Sequence, residues 1–333
     1  MNDKIKSKRI VYMNGDYVPE TDARISIYDS ALMFGDMVFE MTRSFDGKQF
    51  KLREHLERLY AGIKILRIPL KMSIDEMEKA CHSTIEENEP YFEANDEHRL
   101  MINVSRGPLG IYAPIFGGKA DPTVVIADFP LKWTVAGMAR FYDEGINSVV
   151  PSQRAIPATL MDPKVKNRSR MWYQMANIEV SNMKGDNNWA LLIDPEGFIT
   201  EGTGNNFFMV KNGVLYTPEG RNILRGTRRA YVMELSEQLG IPCQECNIEP
   251  YDVYQADEAF VTATPFCILP TTSFNGEIIG TGEMGPITQK LLDQWSKNVG
   301  VNIVQQIRDY ASDMEAYDKS NAPTPYQFKG NKR

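Results

Sequence analysis

The sequence predicts a two-domain α+β protein, and three observations carry that reading. The chain has 333 residues, which at roughly 150 residues per domain corresponds to about two domains. Hydrophobic residues make up 42% and charged residues 24%, the balance of an ordinary globular protein with material for a sizeable core. Helical and strand-like periods also alternate along the chain, so neither an all-helical nor an all-strand architecture fits.

The opening Ile10–Met13, Asn14-Gly15-Asp16, Tyr17-Val18 reads as a β-hairpin around an Asn-Gly turn. Leu56, Leu59, Tyr60, Ile63 and Leu66 follow helical spacing, with Pro69 just past the end. Ser73 and Glu76 form a capping box for a helix from Ile74 to Glu86. Strands are expected at Leu100–Val104 and Val124–Phe129, which completes a smaller N-terminal domain over 1–132. A Pro-interrupted stretch follows, and 133–139 is taken as the linker to a larger domain over 140–310. That domain opens with a strand at Ile146–Val150 and a helix from Asn167 to Lys184. Short strands come next at Trp189–Ile193, Phe198–Thr200, Phe207–Val210 and Val214–Tyr216. A helix from Gly226 to Gly240, a strand at Glu258–Thr262 and a last helix from Ile287 to Val299 complete it. The polar tail over 311–333 is expected to be disordered.

Charge and composition narrow the function classes. Lys and Arg number 37 against 44 Asp and Glu, a net charge of −7. That balance argues against a partner of nucleic acid or anionic membrane held by bulk electrostatics. No apolar run reaches the ~20 residues of a membrane span, and Met1–Lys8 is not followed by a signal-peptide core. A cytoplasmic protein is expected. Four cysteines in this length make no disulfide scaffold. Cys243 and Cys246 form a C-x-x-C, but Ile241–Ile248 reads as a strand, where positions three apart face opposite ways. His55, His82 and His98 lie far off in sequence, so no metal site is expected.

Four separated stretches have chemical potential, each with a plain alternative. In Leu224–Arg229, Gly226 opens a helix whose free N–H groups at Thr227 and Arg228 suit an anion; the alternative is an ordinary helix start. Asp162-Pro163-Lys164-Val165-Lys166-Asn167 places lysines in a turn before a helix, either as a nucleophilic amine or as solvated charges. Gly197–Asn206 carries Glu201 from a strand into a Gly-rich loop, either to pair with a heteroaromatic nitrogen or as an exposed acid. Arg58 lies off the apolar stripe of its helix, as a phosphate ligand or a surface arginine.

Together these stretches resemble the class IV aminotransferases, the fold-type-IV pyridoxal-phosphate enzymes. The resemblance runs from about Val11 to Val301 through Phe34–Glu40, His55–Leu59, Lys166-Asn167, Thr200-Glu201-Gly202, Leu224–Arg228, Asp257–Phe260 and Gly285–Thr288. It implies an α+β fold whose larger C-terminal domain holds a mixed, barrel-like sheet. The implied cofactor is pyridoxal 5'-phosphate, and the implied assembly is a homodimer. By the same resemblance Lys166 forms the aldimine and shuttles the proton, and Glu201 keeps the pyridine nitrogen protonated. Arg58, the N–H groups of Thr227 and Arg228 and the Thr264 hydroxyl bind phosphate, while Leu224 packs on the ring. Lys164 is the competing lysine, but Asp-Pro-x-x-Lys-Asn favours Lys166.

The resemblance also bears on substrate. D-Amino acid aminotransferases carry Arg-x-His after an Arg-Gly turn; Arg106–Pro114 has none, and Tyr112 lies in that loop. Phe39 and Val38-Phe39-Glu40-x-x-Arg43 match branched-chain enzymes better. Those enzymes hold the α-carboxylate with N–H groups of Thr-Ala, whereas here Thr264-Pro265 lacks one donor. Arg43 or Tyr112 would compensate. The expected reaction is ping-pong transfer of an amino group, favouring branched-chain L-amino acids, to a 2-oxo acid such as 2-oxoglutarate. The alternatives are an (R)-amine or D-amino acid transaminase, an aminodeoxychorismate-type lyase and a non-catalytic binding protein on the same fold.

Overall fold

Alternating apolar residues in the opening stretch pair as expected: β1 (Ile10–Met13) and β2 (Asp16–Pro19) form a hairpin with Asn14 and Gly15 at positive φ. The structure, a computed structural model, describes residues 7–185 and 187–313. It divides into two units, one of Met1–Leu131 with Val165–Ser169 and one of Lys132–Lys164 with Arg170–Arg333.

In the smaller unit, α1 (Ser30–Phe34) ends at Gly35 in the left-handed region and feeds β3 (Met37–Met41). The small hairpin β4 (Ser44–Phe45) and β5 (Lys48–Gln49) precedes α2 (Leu52–Ile65). The Ser73–Glu76 capping box is present at the start of α3 (Ile74–Asn88). Strands β6 (His98–Ser105) and β7 (Thr123–Pro130) complete an antiparallel sheet of order β2-β1-β7-β6-β3. Leu100, Ile102, Val104, Val124 and Ile126 meet Leu56, Leu59, Ile63, Met77 and Ile85 of the two helices, so α2 and α3 cover one face.

Val165 belongs to that core, and this anchors Val165–Ser169 as an extended strip along the β3 edge. Phe39 N–H donates to Lys166 C=O at 2.9 Å, and Val38 bridges Asn167. The expected helix from Asn167 does not begin there; the Asn167 side chain bonds Val165 C=O at 3.0 Å and Ser169 N–H at 3.0 Å. These local bonds compete with helix formation and hold the strip open until the helix that begins at Met171.

The larger unit starts at Lys132, so the stretch expected as a linker is folded: α4 (Lys132–Val135) and a 3₁₀ turn at Ala136–Met138 bury Val135 and Ala136. Then come α5 (Phe141–Glu144), β8 (Ile146–Val149) and α6 (Met171–Ser181). Strands β9 (Asn188–Ile193), β10 (Ile199–Gly202), β11 (Asn206–Lys211) and β12 (Val214–Pro218) follow. After them run α7 (Thr227–Gln238), β13 (Cys243–Cys246) and α8 (Pro250–Tyr254). Last are β14 (Glu258–Ala263), β15 (Cys267–Phe274), β16 (Glu277–Ile278), α9 (Pro286–Val299) and α10 (Ile303–Asp313).

The sheet order β10-β9-β8-β15-β14-β11, with β10 pairing back to β11, closes a mixed six-stranded barrel; β12, β13 and β16 extend it. Parallel β12–β13 pairing fixes Cys243 and Cys246 as strand residues, as expected. Glu258 caps α9: its carboxylate accepts Ile287 N–H at 2.9 Å, Thr288 N–H at 2.8 Å and Thr288 Oγ1–H at 2.7 Å. A Cβ at Gly285 would collide with Glu258. The Asp257–Phe260 and Gly285–Thr288 motifs are thus one structural joint. Strand β15 and helix α10 had no counterpart in the sequence reading. Helix α10 covers 311–313 of the expected tail, while 314–333 lie outside the described residues.

Gly35 tests the placement of the lysine strip. Its φ is 65°, and a Cβ there would strike Ser169 Oγ, which donates to Phe34 and Gly35 carbonyls at 3.2 Å. Gly35→Ala should destabilise the protein by about 1–3 kcal/mol. Urea unfolding reads this, and an unchanged midpoint would refute the tight packing of the strip.

Candidate active site

Strand alternation determines how Lys166 is presented. Val165 is buried in the helix-covered core, so the next side chain in the extended strip leaves by the other face of the sheet. There the Lys166 Nζ lies 4.8 Å from the Phe39 ring centroid and the Arg168 guanidinium 3.7 Å from it. Lys164 is committed elsewhere: its Nζ is 2.8 Å from Asp162 Oδ1 and 3.2 Å from Arg221 C=O.

On the helix side of β3, Glu40 is fully buried and binds two residues of α2. Arg58 donates from Nε to Oε1 at 2.6 Å and from Nη2 to Oε2 at 2.8 Å, and His55 Nδ1 lies 2.8 Å from Oε2. Burial by itself would raise the Glu40 carboxyl, but Arg58 and His55 outweigh it and hold the group well below the ordinary carboxylate range. Arg58 is therefore oriented by Glu40, a partner that sequence spacing alone did not single out. The signal was available: Glu40 follows Val38 by two in a strand whose alternate residues enter the core.

The other candidate substrate residues of this unit lie in different surroundings. Arg43 is buried, with its guanidinium 3.9 Å from the Phe45 ring centroid and Nε donating to Ser44 C=O at 3.1 Å. Tyr112 sits in a 3₁₀ segment with its ring 4.6 Å from that of Tyr28. Arg106 of the Arg-Gly turn is engaged by Asp36 at 2.6 Å and by the carbonyls of Leu66 and Arg67.

In the larger unit the barrel closure places Glu201. Glu201 pairs with Asn206 across β10 and β11, and its buried carboxylate receives three hydrogen bonds. Tyr173 Oη donates to Oε1 at 2.8 Å, while Asn206 Nδ2 and Leu224 N–H each donate to Oε2 at 3.0 Å. Asn206 Nδ2 also bonds Leu224 C=O at 2.9 Å, tying the carboxylate to the turn before α7. Tyr173 is pushed well up from the ordinary phenol range, first by burial and then by Glu201, so it remains a donor. Tyr173 and Asn206 were not among the expected site residues. Tyr173 reads as a packed helix aromatic, and the partnership appears only when α6 lies beside β10.

Gly226 caps α7 without a side-chain bond, in extended backbone, and Thr227 and Arg228 are its first two helical residues. A Cβ at Gly226 would collide with Asn206 Oδ1, so glycine is required for the helix start to sit against the Glu201 cluster. Thr264 and Pro265 lie in the turn joining β14 and β15, which ends at Cys267 with φ 64°. Among the described residues, no group of three or more His, Cys, Asp or Glu is placed to hold a metal, and no helix is long and apolar enough to cross a membrane.

Similarity to known proteins identifies the class to which this chain belongs. Residues 37–274 match the family model of amino-transferase class IV, and the chain belongs to that family of enzymes. Its relatives include the branched-chain-amino-acid aminotransferase of Escherichia coli K12, 32% identical over 292 residues, 86% of this chain and 91% of that one. A Methanocaldococcus jannaschii protein provisionally named a branched-chain-amino-acid aminotransferase is 35% identical over 287 residues, 86% of this chain and 94% of that one. The crystal structure of the E. coli branched-chain enzyme superposes with TM-score 0.77 at 29% identity, covering 87% of this chain and 94% of that one.

Two measurements test the geometry. Because Glu40 titrates below its unfolded value, its ion pairs add stability above the ordinary carboxylate range, lost as pH falls through the folded value. Glu40→Gln should lower stability at neutral pH by about 3–5 kcal/mol and flatten the acid limb of the stability curve. Unfolding midpoints across pH read both effects. Asn206→Ala leaves Leu224 C=O and one Glu201 oxygen short of a donor. A loss of about 1–3 kcal/mol is expected in the same assay.

Proposed function

We propose that this chain is a cytoplasmic, homodimeric, pyridoxal-phosphate-dependent aminotransferase acting on branched-chain L-amino acids and a 2-oxo acid such as 2-oxoglutarate. The observation that carries it is the Glu201 cluster: a buried carboxylate held by Tyr173, Asn206 and Leu224, bonded into the turn that begins α7. An acceptor so fixed suits the protonated nitrogen of a pyridine ring, and the adjoining N–H groups of Thr227 and Arg228 suit a phosphate. The family membership and the branched-chain relatives support the same reading. A related structure of the T.th. branched-chain amino acid aminotransferase, TM-score 0.77 at 25% identity over 91% of this chain and 97% of that one, was solved with N-(5'-phosphopyridoxyl)-L-glutamate.

When bound, pyridoxal phosphate supplies an electrophilic carbonyl and a ring that accepts electrons from the substrate Cα. Lys166 provides the amine for that carbonyl and carries the proton at the substrate Cα; Lys164, paired with Asp162, does neither. Glu201 keeps the ring nitrogen protonated, and Leu224 faces the ring. Arg58, Thr227, Arg228 and the Thr264 hydroxyl hold the phosphate, with Arg58 oriented by Glu40. Phe39 lines the substrate pocket, with Arg43, Tyr112 and Pro265 as further candidates.

Purified wild type should be yellow and bleach on addition of L-leucine, L-isoleucine or L-valine, with 2-oxoglutarate restoring the colour. Lys166→Ala should lack both responses, while Lys164→Ala keeps them. Glu201→Gln should retain the colour and lower kcat at least about 100-fold by weakening the electron-accepting ring. Bleaching by an (R)-amine or a D-amino acid instead would transfer the assignment to those transaminases. Release of pyruvate without an oxo-acid acceptor would transfer it to the lyase.

A further inference from the structure

Helix α6 meets the Glu201 stretch at two points. Tyr173 and Asn177 stand four residues apart, so they share one face of the helix. Tyr173 Oη donates to Glu201 Oε1 at 2.8 Å, and Asn177 Oδ1 accepts the Thr203 hydroxyl at 2.9 Å. One face of α6 is thus fitted to residues 201–203. Ala176 and Val180 of the same helix pack with Ala190 and Leu192 of β9, and the rings of Trp172 and Tyr173 lie against that cluster. The two ring centroids are 5.2 Å apart, edge to face. Packing therefore fixes the phenol, and its hydrogen bond is not what holds the ring.

The donors to Glu201 differ in origin. Asn206 Nδ2 and Leu224 N–H serve Oε2, and both belong to the barrel closure and the turn before α7. Tyr173 serves the other oxygen, and its hydroxyl can be removed without touching the backbone. Burial first, then the charge of Glu201, push the phenol well above its ordinary range, while Arg170, 5.2 Å from the ring, opposes this. The hydroxyl accordingly stays protonated and donates. A buried carboxylate favours its neutral form unless donors hold the charge, and each donor to the ionised form lowers its affinity for a proton.

We propose that Tyr173 is a positioning residue that decides where the proton between Glu201 and the cofactor ring resides: its hydroxyl holds Glu201 as the carboxylate, so the proton stays on the ring nitrogen. This rests on the aminotransferase reading and deepens it: that reading gives Glu201 the ring nitrogen, and Tyr173 governs Glu201. The step balances without a further reactant, since one proton is shared between one carboxylate oxygen and one nitrogen. Without the Tyr173 hydroxyl the carboxylate is the stronger base and takes the proton, leaving the ring nitrogen neutral. A neutral ring draws electrons from the substrate Cα less strongly.

Pyridoxal phosphate carrying nitrogen-15 in its ring is loaded into the wild type, Tyr173→Phe, Glu201→Gln and the double variant. The ring nitrogen resonance is read by NMR, alongside KM and kcat for leucine. Tyr173→Phe should move the resonance toward that of a neutral ring nitrogen. It should also lower kcat about 10-fold, the effect of one hydrogen bond to a charged group, with KM within about twofold. In the Glu201→Gln background the same substitution should leave the resonance in place, because Tyr173 acts through the carboxylate. A resonance unchanged by Tyr173→Phe would overturn the proposal. So would an equal displacement in both backgrounds, the signature of a ring that merely packs. If Tyr173→Phe does not fold, 3-fluorotyrosine at position 173 decides, since it keeps the shape and is the stronger donor. With carbon-13 glutamate, the Glu201 carboxyl of that full chain should titrate at lower pH than in the wild type, and an unmoved midpoint would overturn the proposal. A wild type that takes up no pyridoxal phosphate would refute the aminotransferase reading and this proposal together. Uptake with an unmoved resonance in Tyr173→Phe refutes this proposal alone.

Discussion

Closure of the barrel between β10 and β11 is the constraint on which the larger unit's site depends. The pair that closes it is Glu201 and Asn206, and the same two side chains hydrogen-bond. Asn206 then holds Leu224 and, through the space that Gly226 leaves for it, the start of α7. A carboxylate buried in this way would be unfavourable alone, and three donors offset that cost. The fold thus uses its strand closure to fix one acidic side chain and one helix N-terminus together. That joint placement comes from backbone topology.

The smaller unit applies a different device, the alternation of an extended strip. Val165 enters the core, so Lys166 must leave it, and the strip is held to β3 by Phe39 N–H and the Val38–Asn167 bridge. A shift of one residue would bury a charged amine among Leu56, Ile63 and Val104, a heavy penalty that fixes the register. Glu40, one position past Phe39 on the strand, takes the helix side and orients Arg58 by the same alternation. Two chemical groups, an amine and an oriented guanidinium, are therefore sorted to opposite faces of one strand pair.

Much of this was legible in the sequence. The capping box at Ser73, the Asn-Gly hairpin and the helix after Gly226 all arise from interactions within a few residues, which pattern reading captures. The motifs around Lys166, Glu201 and Leu224 identified the family because several short stretches recur in one order. Less legible were the elements whose conformation depends on distant partners. Asn167 looked like a helix start but its side chain bonds the strip's own backbone; residues 132–138 looked irregular but fold as helical turns with buried Val135.

Sequence by itself determined the class of enzyme, because its motifs are short local stretches that recur in one order along the chain. Tertiary structure alone decided the partners: Glu40 for Arg58, Tyr173 and Asn206 for Glu201, and Asp162 and Arg221 for Lys164. A side chain such as Tyr173 looks like an ordinary packed aromatic until strand register and helix placement set what faces it. Hydrogen-bond satisfaction is a property of three-dimensional neighbours, and residues 28 apart, as Tyr173 and Glu201 are, become neighbours only through the fold.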